Sequence, residues 1–195
     1  MIRSASSLET LVHYYLANIS SLHSYNSIRK AFGLNVETAR NYTRFLQEAF
    51  LIFELNRYHP NLKVQSRDPK KIYAIDTGLR NANAATGSED IGKLAENIVY
   101  LELRRRNCEL TYFKNTQEVD FVITKFGKPK SAIQVCYADI RKESETRERE
   151  ITALVECLQA TQLPTGWILT QKGEEKIHVE KKEIHLIPLY KWLMG

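Results

Sequence analysis

Two stretches of alternating polar and apolar residues, at positions 118–123 and 132–137, flank the turn-forming residues Phe-Gly-Lys-Pro at 126–129. Alternation with a period of two is typical of β-strands, and a glycine-containing turn between two such stretches predicts a β-hairpin. Because side chains point alternately to the two faces of a strand, one face of this hairpin is polar. That face is predicted to carry Glu118, Asp120, Gln134 and Cys136.

A helix is predicted over residues 91–106, where apolar residues recur at helical spacing. Glu96 shares one side of this helix with Val99, Tyr100 and Leu103. A carboxylate on a largely apolar stripe is costly unless it is paired or holds a ligand, so Glu96 is a candidate site residue. The alternative is an acid in the first helical turn, where the positive helix end stabilises it by about 0.3–1 kcal/mol.

The order of these residues resembles the PD-(D/E)xK nuclease core. In that core a helix carboxylate joins a strand Asp, and the following strand carries Glu-x-Lys. The last element here reads Gln134-Val135-Cys136, so an amide replaces the acid and a thiol replaces the lysine. The resemblance implies vestigial catalytic positions at Glu96, Asp120, Gln134 and Cys136, with Asp120 and Glu118 as candidate metal ligands.

Metal-dependent phosphodiester hydrolysis requires carboxylate oxygens around Mg²⁺ and a cation that stabilises the developing charge. Gln134 offers a neutral oxygen, and Cys136 cannot replace a lysine charge. We therefore expect little or no cleavage and regard Mg²⁺ as a cofactor only if the nuclease site is active. An ordinary half-buried hairpin with its polar face in water explains the same alternation.

The composition limits the class of protein. The chain has 195 residues, 43% of them apolar, which suffices for one large or two small globular domains. It contains no apolar run of the ~18 residues that a membrane span needs, and its N-terminus does not resemble a signal peptide. Three widely spaced cysteines indicate reduced thiols in a cytoplasmic protein. A P-loop and a GxGxxG loop are both missing from this sequence.

Positive charge is concentrated in the N-terminal part of the chain. Residues 1–80 contain 11 Lys/Arg and 6 Asp/Glu, whereas residues 81–195 contain 17 of each. A phosphate-binding surface is therefore expected within the first 80 residues.

The same region has the pattern of a helix-turn-helix. A helix over residues 8–17 is followed by a second helix that begins after Ser24 or Asn26 and ends at Phe32, before Gly33. Asn35 is predicted to cap a third helix over residues 36–49, and residues 51–55 and 62–64 are predicted to form a β-wing. The polar face of the third helix, with Arg40, Asn41 and Arg44, is expected to contact duplex DNA. Helix pairs of this kind also serve as protein-interaction modules.

Four further motifs extend the resemblance to nearly the whole chain. They are Pro69-Lys-Lys-Ile-Tyr-Ala-Ile-Asp76-Thr-Gly-Leu, Gly92-Lys-Leu-Ala-Glu96-Asn97, Glu118-Val-Asp120-Phe and Thr146-Arg-Glu-Arg-Glu150. Together with the N-terminal helices, they resemble the uncharacterised C-terminal region of bacterial and archaeal AAA-type ATPases. The resemblance implies a mixed α/β protein with a winged-helix domain over residues 1–68. A nuclease-like domain with a mixed sheet, of the restriction-endonuclease type, is implied over residues 69–195, usually behind a P-loop ATPase domain.

The sequence thus predicts a DNA-binding or regulatory module of an AAA-type ATPase, with a degenerate nuclease-like domain and no enzymatic activity of its own. Its expected partners are duplex DNA and an ATPase domain, and no association with a membrane is expected. The first alternative is a Mg²⁺-dependent DNA endonuclease that uses Glu96, Asp120 and Glu118, with Arg147 as a substitute cation. The second alternative is a protein-interaction adaptor.

Overall fold

The computed structural model describes residues 5–83, 90–140 and 142–195 and has the mixed α/β fold that the sequence predicts. The chain divides into two compact units, Met1–Asn97 and Ile98–Gly195. Among the described residues, no helix is both long enough and apolar enough to cross a bilayer.

The N-terminal unit contains five short helices and three strands among its described residues, and a further helix, α6 (Asp90–Arg105), continues into the second unit. The helices are α1 (Ala5–Ala17), α2 (Tyr25–Phe32), α3 (Val36–Glu48), α4 (Leu62–Arg67) and α5 (Thr77–Asn83). The strands are β1 (Leu22–His23), β2 (Ile52–Leu55) and β3 (Lys70–Ala74).

Local capping residues fix the boundaries of α2 and α3. The Ser24 hydroxyl accepts a hydrogen bond from the Ser27 N–H at 3.1 Å, and α2 ends at Gly33, which has a φ of 66° that suits glycine. Asn35 Oδ1 accepts a hydrogen bond from the Thr38 N–H at 2.7 Å and starts α3. The predicted order of helix, tight turn and polar-faced helix is confirmed.

The three strands form an antiparallel sheet in the order β1-β3-β2, which covers a core of apolar side chains from α1, α2 and α3. The strand predicted at residues 62–64 is wrong, because these residues lie in α4. Asn61 Oδ1 accepts a hydrogen bond from the Lys63 N–H at 2.9 Å and initiates that helix. The partner of β2 is instead β3. The strand β3, which follows the predicted domain boundary after residue 68, pairs with β1 and β2, and the boundary itself stays a prediction.

The second unit is built on a six-stranded mixed sheet in the order β4-β5-β6-β7-β9-β8. Its strands are β4 (Glu109–Lys114), β5 (Glu118–Lys125), β6 (Lys128–Cys136), β7 (Thr165–Thr170), β8 (Glu175–Val179) and β9 (Lys182–Pro188). Its remaining helices are α7 (Ser144–Ala160) and α8 (Leu189–Met194).

The predicted hairpin is formed by β5 and β6. Phe126 and Gly127 occupy the turn with φ values of 53° and 72°, the positive angles that a two-residue hairpin turn of type I′ requires at both positions. Beyond this antiparallel pair, β6 runs parallel to β7, and β7 runs parallel to β9.

Helix α7 packs on one face of this sheet. A Cβ added at Gly166 in β7 would lie 3.0 Å from Leu154 of α7, so the missing side chain allows the close approach of helix and strand. On the other face, Tyr100 lies against Phe121, with ring centroids 6.3 Å apart. The polar side chains of the hairpin therefore share their face with α7.

Candidate functional site

Asp120 and Gln134 lie side by side on adjacent strands. The register pairs Phe121 with Ile133, which places Asp120 opposite Gln134. The Asp120 N–H donates a hydrogen bond to Gln134 Oε1 at 3.1 Å, and the Asp120 carboxylate accepts one from the Val135 N–H at 2.9 Å. Both side chains are buried, with 6% and 8% of their surface exposed. The pair is thus a hydrogen-bonded cross-link between the two strands.

A second carboxylate reaches this pair from α7. Gln134 Nε2 donates a hydrogen bond to Glu150 Oε2 at 2.6 Å, and Glu150 is only 7% exposed. Sequence reasoning missed Glu150 as a site residue, although it lies in the motif Thr146-Arg-Glu-Arg-Glu150. A signal was present, since Glu150 precedes Ala153, Leu154 and Cys157 at helical spacing on an apolar stripe.

The charge of Glu150 is balanced by its neighbour in the sequence. Arg149 donates hydrogen bonds from Nε and an η nitrogen to Glu150 Oε1, at 3.2 and 2.7 Å. Arg147, the substitute cation of the endonuclease hypothesis, instead pairs with Glu175 at 2.8 Å. The cation at this site is therefore Arg149.

Cys136 lies on the same face, one alternation further along β6. Burial raises the pKa of its thiol to about 12, and the negative charge of Glu150 acts in the same direction. The thiol is consequently protonated at neutral pH and supplies neither a nucleophile nor a positive charge.

These residues do not fit a Mg²⁺ ion. Mg²⁺ needs oxygen ligands in near-octahedral geometry, usually from one or two carboxylates together with waters and substrate phosphates. Here Asp120 accepts a backbone hydrogen bond, the Gln134 oxygen accepts another, and Glu150 bonds to an amide and a guanidinium. Glu118, two residues from Asp120, is half-buried and lies 3.8 Å from Lys114. Within the described residues, no group of three or more His, Cys, Asp or Glu is arranged to hold a metal.

Glu96 belongs to the N-terminal unit, where it forms part of a buried polar cluster. It accepts hydrogen bonds from Lys71 Nζ at 2.9 Å and from the Tyr73 hydroxyl at 2.7 Å. The next residue, Asn97, donates to the Ala74 C=O at 3.0 Å and accepts from the Ala74 N–H at 2.8 Å. These contacts explain why the Lys-Ile-Tyr-Ala and Glu-Asn motifs occur together. A role of Glu96 in the Asp120 site stays a prediction.

The predicted nucleic-acid residues lie on the outer side of α3. Arg40 and Arg44 are exposed, and Asn41 is half-buried. The Arg40 guanidinium lies 5.4 Å from the centre of the Tyr25 ring, and the Arg44 guanidinium lies 5.4 Å from the centre of the Phe45 ring and 3.7 Å from Glu48. Two guanidinium groups are therefore presented at the protein surface.

The segment between β2 and β3 is also basic. It carries Arg57, Lys63 and Arg67, and β3 adds Lys70 at its start. Asp68 is the acid of this segment and pairs with Arg57 at 3.2 Å. Sequence reasoning found the excess of positive charge but not its location in α4 and the adjoining residues.

Comparison with known proteins gives two family matches. Residues 91–192 match the model of a family described as "Domain of unknown function (DUF4143)", and residues 1–90 match "Domain of unknown function (DUF8612)". The chain is 34% identical over 204 aligned positions to "Uncharacterized protein MJ1544" of Methanocaldococcus jannaschii, an alignment that covers 98% of this chain and 44% of the relative. It is 29% identical over 89 positions to an "Uncharacterized protein" of Haemophilus influenzae, covering 45% of this chain and 22% of the relative.

The chain therefore spans less than half the length of these two curated relatives. No solved structure matches it significantly.

Proposed function

This chain belongs to the DUF4143 family, and we propose that it is the DNA-binding and regulatory part of an AAA-type ATPase. In this proposal the N-terminal unit is a winged helix that binds duplex DNA. The second unit has a nuclease-like architecture in which the catalytic constellation has been replaced by a structural hydrogen-bond network.

The observation that carries the DNA-binding proposal is the exposed face of α3. The elements follow one another as α1, β1, α2, α3, β2, α4 and β3, which is the order of a winged helix with the short helix α4 inserted between its last two strands. In such a unit the second helix of the helix-turn-helix enters the major groove. Arg40, Asn41 and Arg44 occupy the outer side of that helix, where they can reach phosphates and base edges.

The basic segment between β2 and β3 supports the same role. A wing that flanks a recognition helix contacts the DNA backbone, and Lys63 and Arg67 of α4 are exposed at that position in the chain. Phosphate contacts contribute sequence-independent affinity through the release of counterions. We therefore expect a module that binds duplex DNA largely through its backbone.

The loss of catalysis is supported by the contacts of Asp120, Gln134 and Glu150. Each of these side chains has a hydrogen-bond partner within the protein, and Arg149 balances the Glu150 charge. A nuclease site needs oxygens directed at a metal and a cation directed at the phosphate. The described contacts serve the packing of α7 on the sheet instead.

The association with an ATPase rests on the family resemblance. A P-loop is missing from this sequence, so ATP hydrolysis would have to come from another domain or another protein. The relatives have ample additional length for such a domain.

A Mg²⁺-dependent endonuclease is the second candidate, and one observation favours it. Glu150 places a buried acid on the face that carries Asp120, in hydrogen-bond contact with Gln134, the residue that stands where the nuclease core has an acid. Mg²⁺ is usually held by one or two carboxylates together with waters and substrate phosphates, and this face offers two carboxylates. We favour the binding module because both carboxylates are already hydrogen-bonded within the protein.

The proposal is tested by fluorescence anisotropy with a labelled DNA duplex. Replacing Arg40 and Arg44 by Ala should weaken binding by about 1–3 kcal/mol if either side chain contacts a base, and the wild-type affinity should fall steeply with salt. The control replaces Lys125 and Lys128 by Ala, which removes two exposed positive charges from the hairpin of the second unit. Equal affinities of the α3 variant and the wild type would refute the proposed recognition helix.

A further inference from the structure

A polar cleft in the N-terminal unit lies where the start of α2, the end of α4 and the start of β3 meet. Its volume is about 220 Å³ including its open mouth. The groups that line it include Ser24 from the N-cap of α2, Ser66 and Arg67 from α4, and Lys70 from β3. Hydroxyl, guanidinium and ammonium donors around a small space are the groups that proteins use to bind phosphate.

A buried histidine also lines this cleft. His23 is only 5% exposed, and neither of its ring nitrogens makes a hydrogen bond with the described residues. Nε2 lies 3.2 Å from Glu54 Oε1, so an acid adjoins this ring nitrogen. Buried polar atoms nearly always have a partner. Nδ1 is thus a buried polar atom without a hydrogen-bond partner among the described residues, on a side chain that lines the cleft.

The start of α2 adds a favourable electrostatic field. The capping box uses the side chains of Ser24 and Ser27, and it leaves the N–H groups of Tyr25 and Asn26 unused. Such free N–H groups, together with the positive end of the helix dipole, attract anions.

The acids near the cleft already have hydrogen-bond or ion-pair partners. Asp68, which lines the cleft, pairs with Arg57 at 3.2 Å. Glu54 accepts hydrogen bonds from the Tyr25 hydroxyl at 2.9 Å and from Gln47 at 3.1 Å. Arg67 and Lys70 have no acidic partner within 4 Å among the described residues, so their charges are available to an anion.

We propose that this cleft binds a phosphate group, with Arg67 and Lys70 as the charged donors, the start of α2 as the backbone donor and His23 as the buried partner. Arg40 of α3 lies over the ring of Tyr25, which also lines the cleft, so the site adjoins the predicted recognition helix. A phosphate of the DNA backbone is one source, and this assignment rests on the proposed DNA-binding function. A free phosphate or a phosphomonoester is the other source.

The first experiment titrates the full chain with inorganic phosphate and follows the His23 ring nitrogens and the Tyr25 and Asn26 amides by ¹⁵N NMR. The proposal predicts saturable shifts at these nuclei that equal ionic strength of chloride does not produce. In a variant with Arg67→Ala and Lys70→Ala, the affinity for phosphate should fall about tenfold or more. In a variant with Lys125→Ala and Lys128→Ala, which removes two exposed charges outside the cleft, it should change little. Shifts that chloride reproduces would overturn the proposal.

The second experiment distinguishes the two sources by measuring duplex affinity of the same variants. If the ligand is a backbone phosphate, the Arg67/Lys70 double variant should bind DNA about tenfold more weakly and with a smaller salt slope, whereas the Lys125/Lys128 double variant should stay close to wild type. Phosphate binding together with unchanged DNA affinity would assign the cleft to a free phosphate or phosphomonoester. If the wild-type chain binds phosphate but no DNA, the proposed function fails while this inference stands. Equal losses in the Arg67/Lys70 double variant and in the Lys125/Lys128 double variant would contradict a specific site.

Discussion

Gln134 Nε2 donates a hydrogen bond of 2.6 Å to Glu150 Oε2, which ties the central hairpin to α7. The amide is suited to this position because it can donate to a carboxylate and accept from the Asp120 N–H at the same time. A glutamate at position 134 would place two acids in contact in a buried environment, where like charges repel strongly. An amide at position 134 therefore suits a site that contains Glu150.

This coupling predicts the cost of removing Glu150. Glu150→Ala leaves the buried Gln134 N–H group without its acceptor and should lower the free energy of unfolding by about 1–3 kcal/mol. Arg149→Ala is the matched control, because it removes the exposed partner of the same carboxylate and should cost less than about 1 kcal/mol. Urea denaturation followed by circular dichroism measures both. Equal costs would show that the ion pair, and not the buried amide contact, stabilises this region.

The reactivity of the three cysteines tests the environment of the site. Burial raises the pKa of both the Cys136 and the Cys157 thiol to about 12, whereas Cys108 is half-buried. Because the thiolate is the reactive species, iodoacetamide at about pH 8 should modify Cys108 and spare the other two. Mass spectrometry of peptides identifies the modified residue, and denatured protein should react at all three positions. Rapid modification of Cys136 in the folded chain would contradict its buried, protonated state.

Glu156 of α7 accepts hydrogen bonds from the loop between β4 and β5, and this contact predicts that the stability of the fold depends on pH. Burial raises the pKa of Glu156, but hydrogen bonds from the Gln117 and Thr116 N–H groups lower it more, so the net shift is downward. A lowered folded pKa means that the contribution to stability is complete above the ordinary value of 4.5 and is lost as pH falls through the folded value. Glu156→Gln should therefore be destabilising at about pH 7 and much less so at about pH 3.

Glu148→Gln provides the control for this prediction. Glu148 is an exposed acid of the same helix, and its replacement should have a small effect at both pH values. A constant difference between Glu156→Gln and wild type across the pH range would contradict the proposed role of the charge.

Asn97 of the N-terminal unit is predicted to contribute more to the stability of the fold than an exposed asparagine does. Its carboxamide bonds both the N–H and the C=O of Ala74, and the residue is fully buried. Asn97→Ala should cost about 1–3 kcal/mol, because it leaves buried backbone groups without partners. Asn83→Ala, which removes an exposed bond to the Leu79 C=O, should cost no more than about 1 kcal/mol. Similar losses in thermal unfolding would argue against the buried link.

The local structure of the chain could be predicted largely from the sequence. Ser24, Gly33 and Asn35 fix the ends of α2 and α3 through hydrogen bonds and backbone angles that depend on neighbouring residues. The β5–β6 hairpin follows from alternation and a glycine turn for the same reason. The error at residues 62–64 arose because the short apolar pattern there fits a strand as well as a helix, and Asn61 decides in favour of the helix.

Contacts between distant residues could not be read in this way. Glu150 reaches Gln134 only because α7 crosses β6 at that point, and the crossing depends on the packing of Leu154 against Gly166. The pairing of Lys71 with Glu96 likewise depends on the folded arrangement of β3 and α6. A search for acids on apolar helical stripes would have singled out Glu150 as it did Glu96, although it would not have identified Gln134 as the partner of Glu150.

The central claim is that this chain binds DNA and does not cut it, and one experiment measures both properties. Purified chain is incubated with a supercoiled plasmid and Mg²⁺ or Mn²⁺, and the same samples are analysed for bound complex and for nicked product, beside Asp120→Ala. Gln134 does not supply an anionic ligand and Cys136 does not supply a cation, and each of these differences from a nuclease should reduce the rate of cleavage about 10²–10³-fold. We therefore predict that the wild type and Asp120→Ala both bind the plasmid and leave it intact. Metal-dependent nicking that disappears in Asp120→Ala would contradict the account and favour the endonuclease. Plasmid that is neither bound nor cut would contradict the DNA-binding claim.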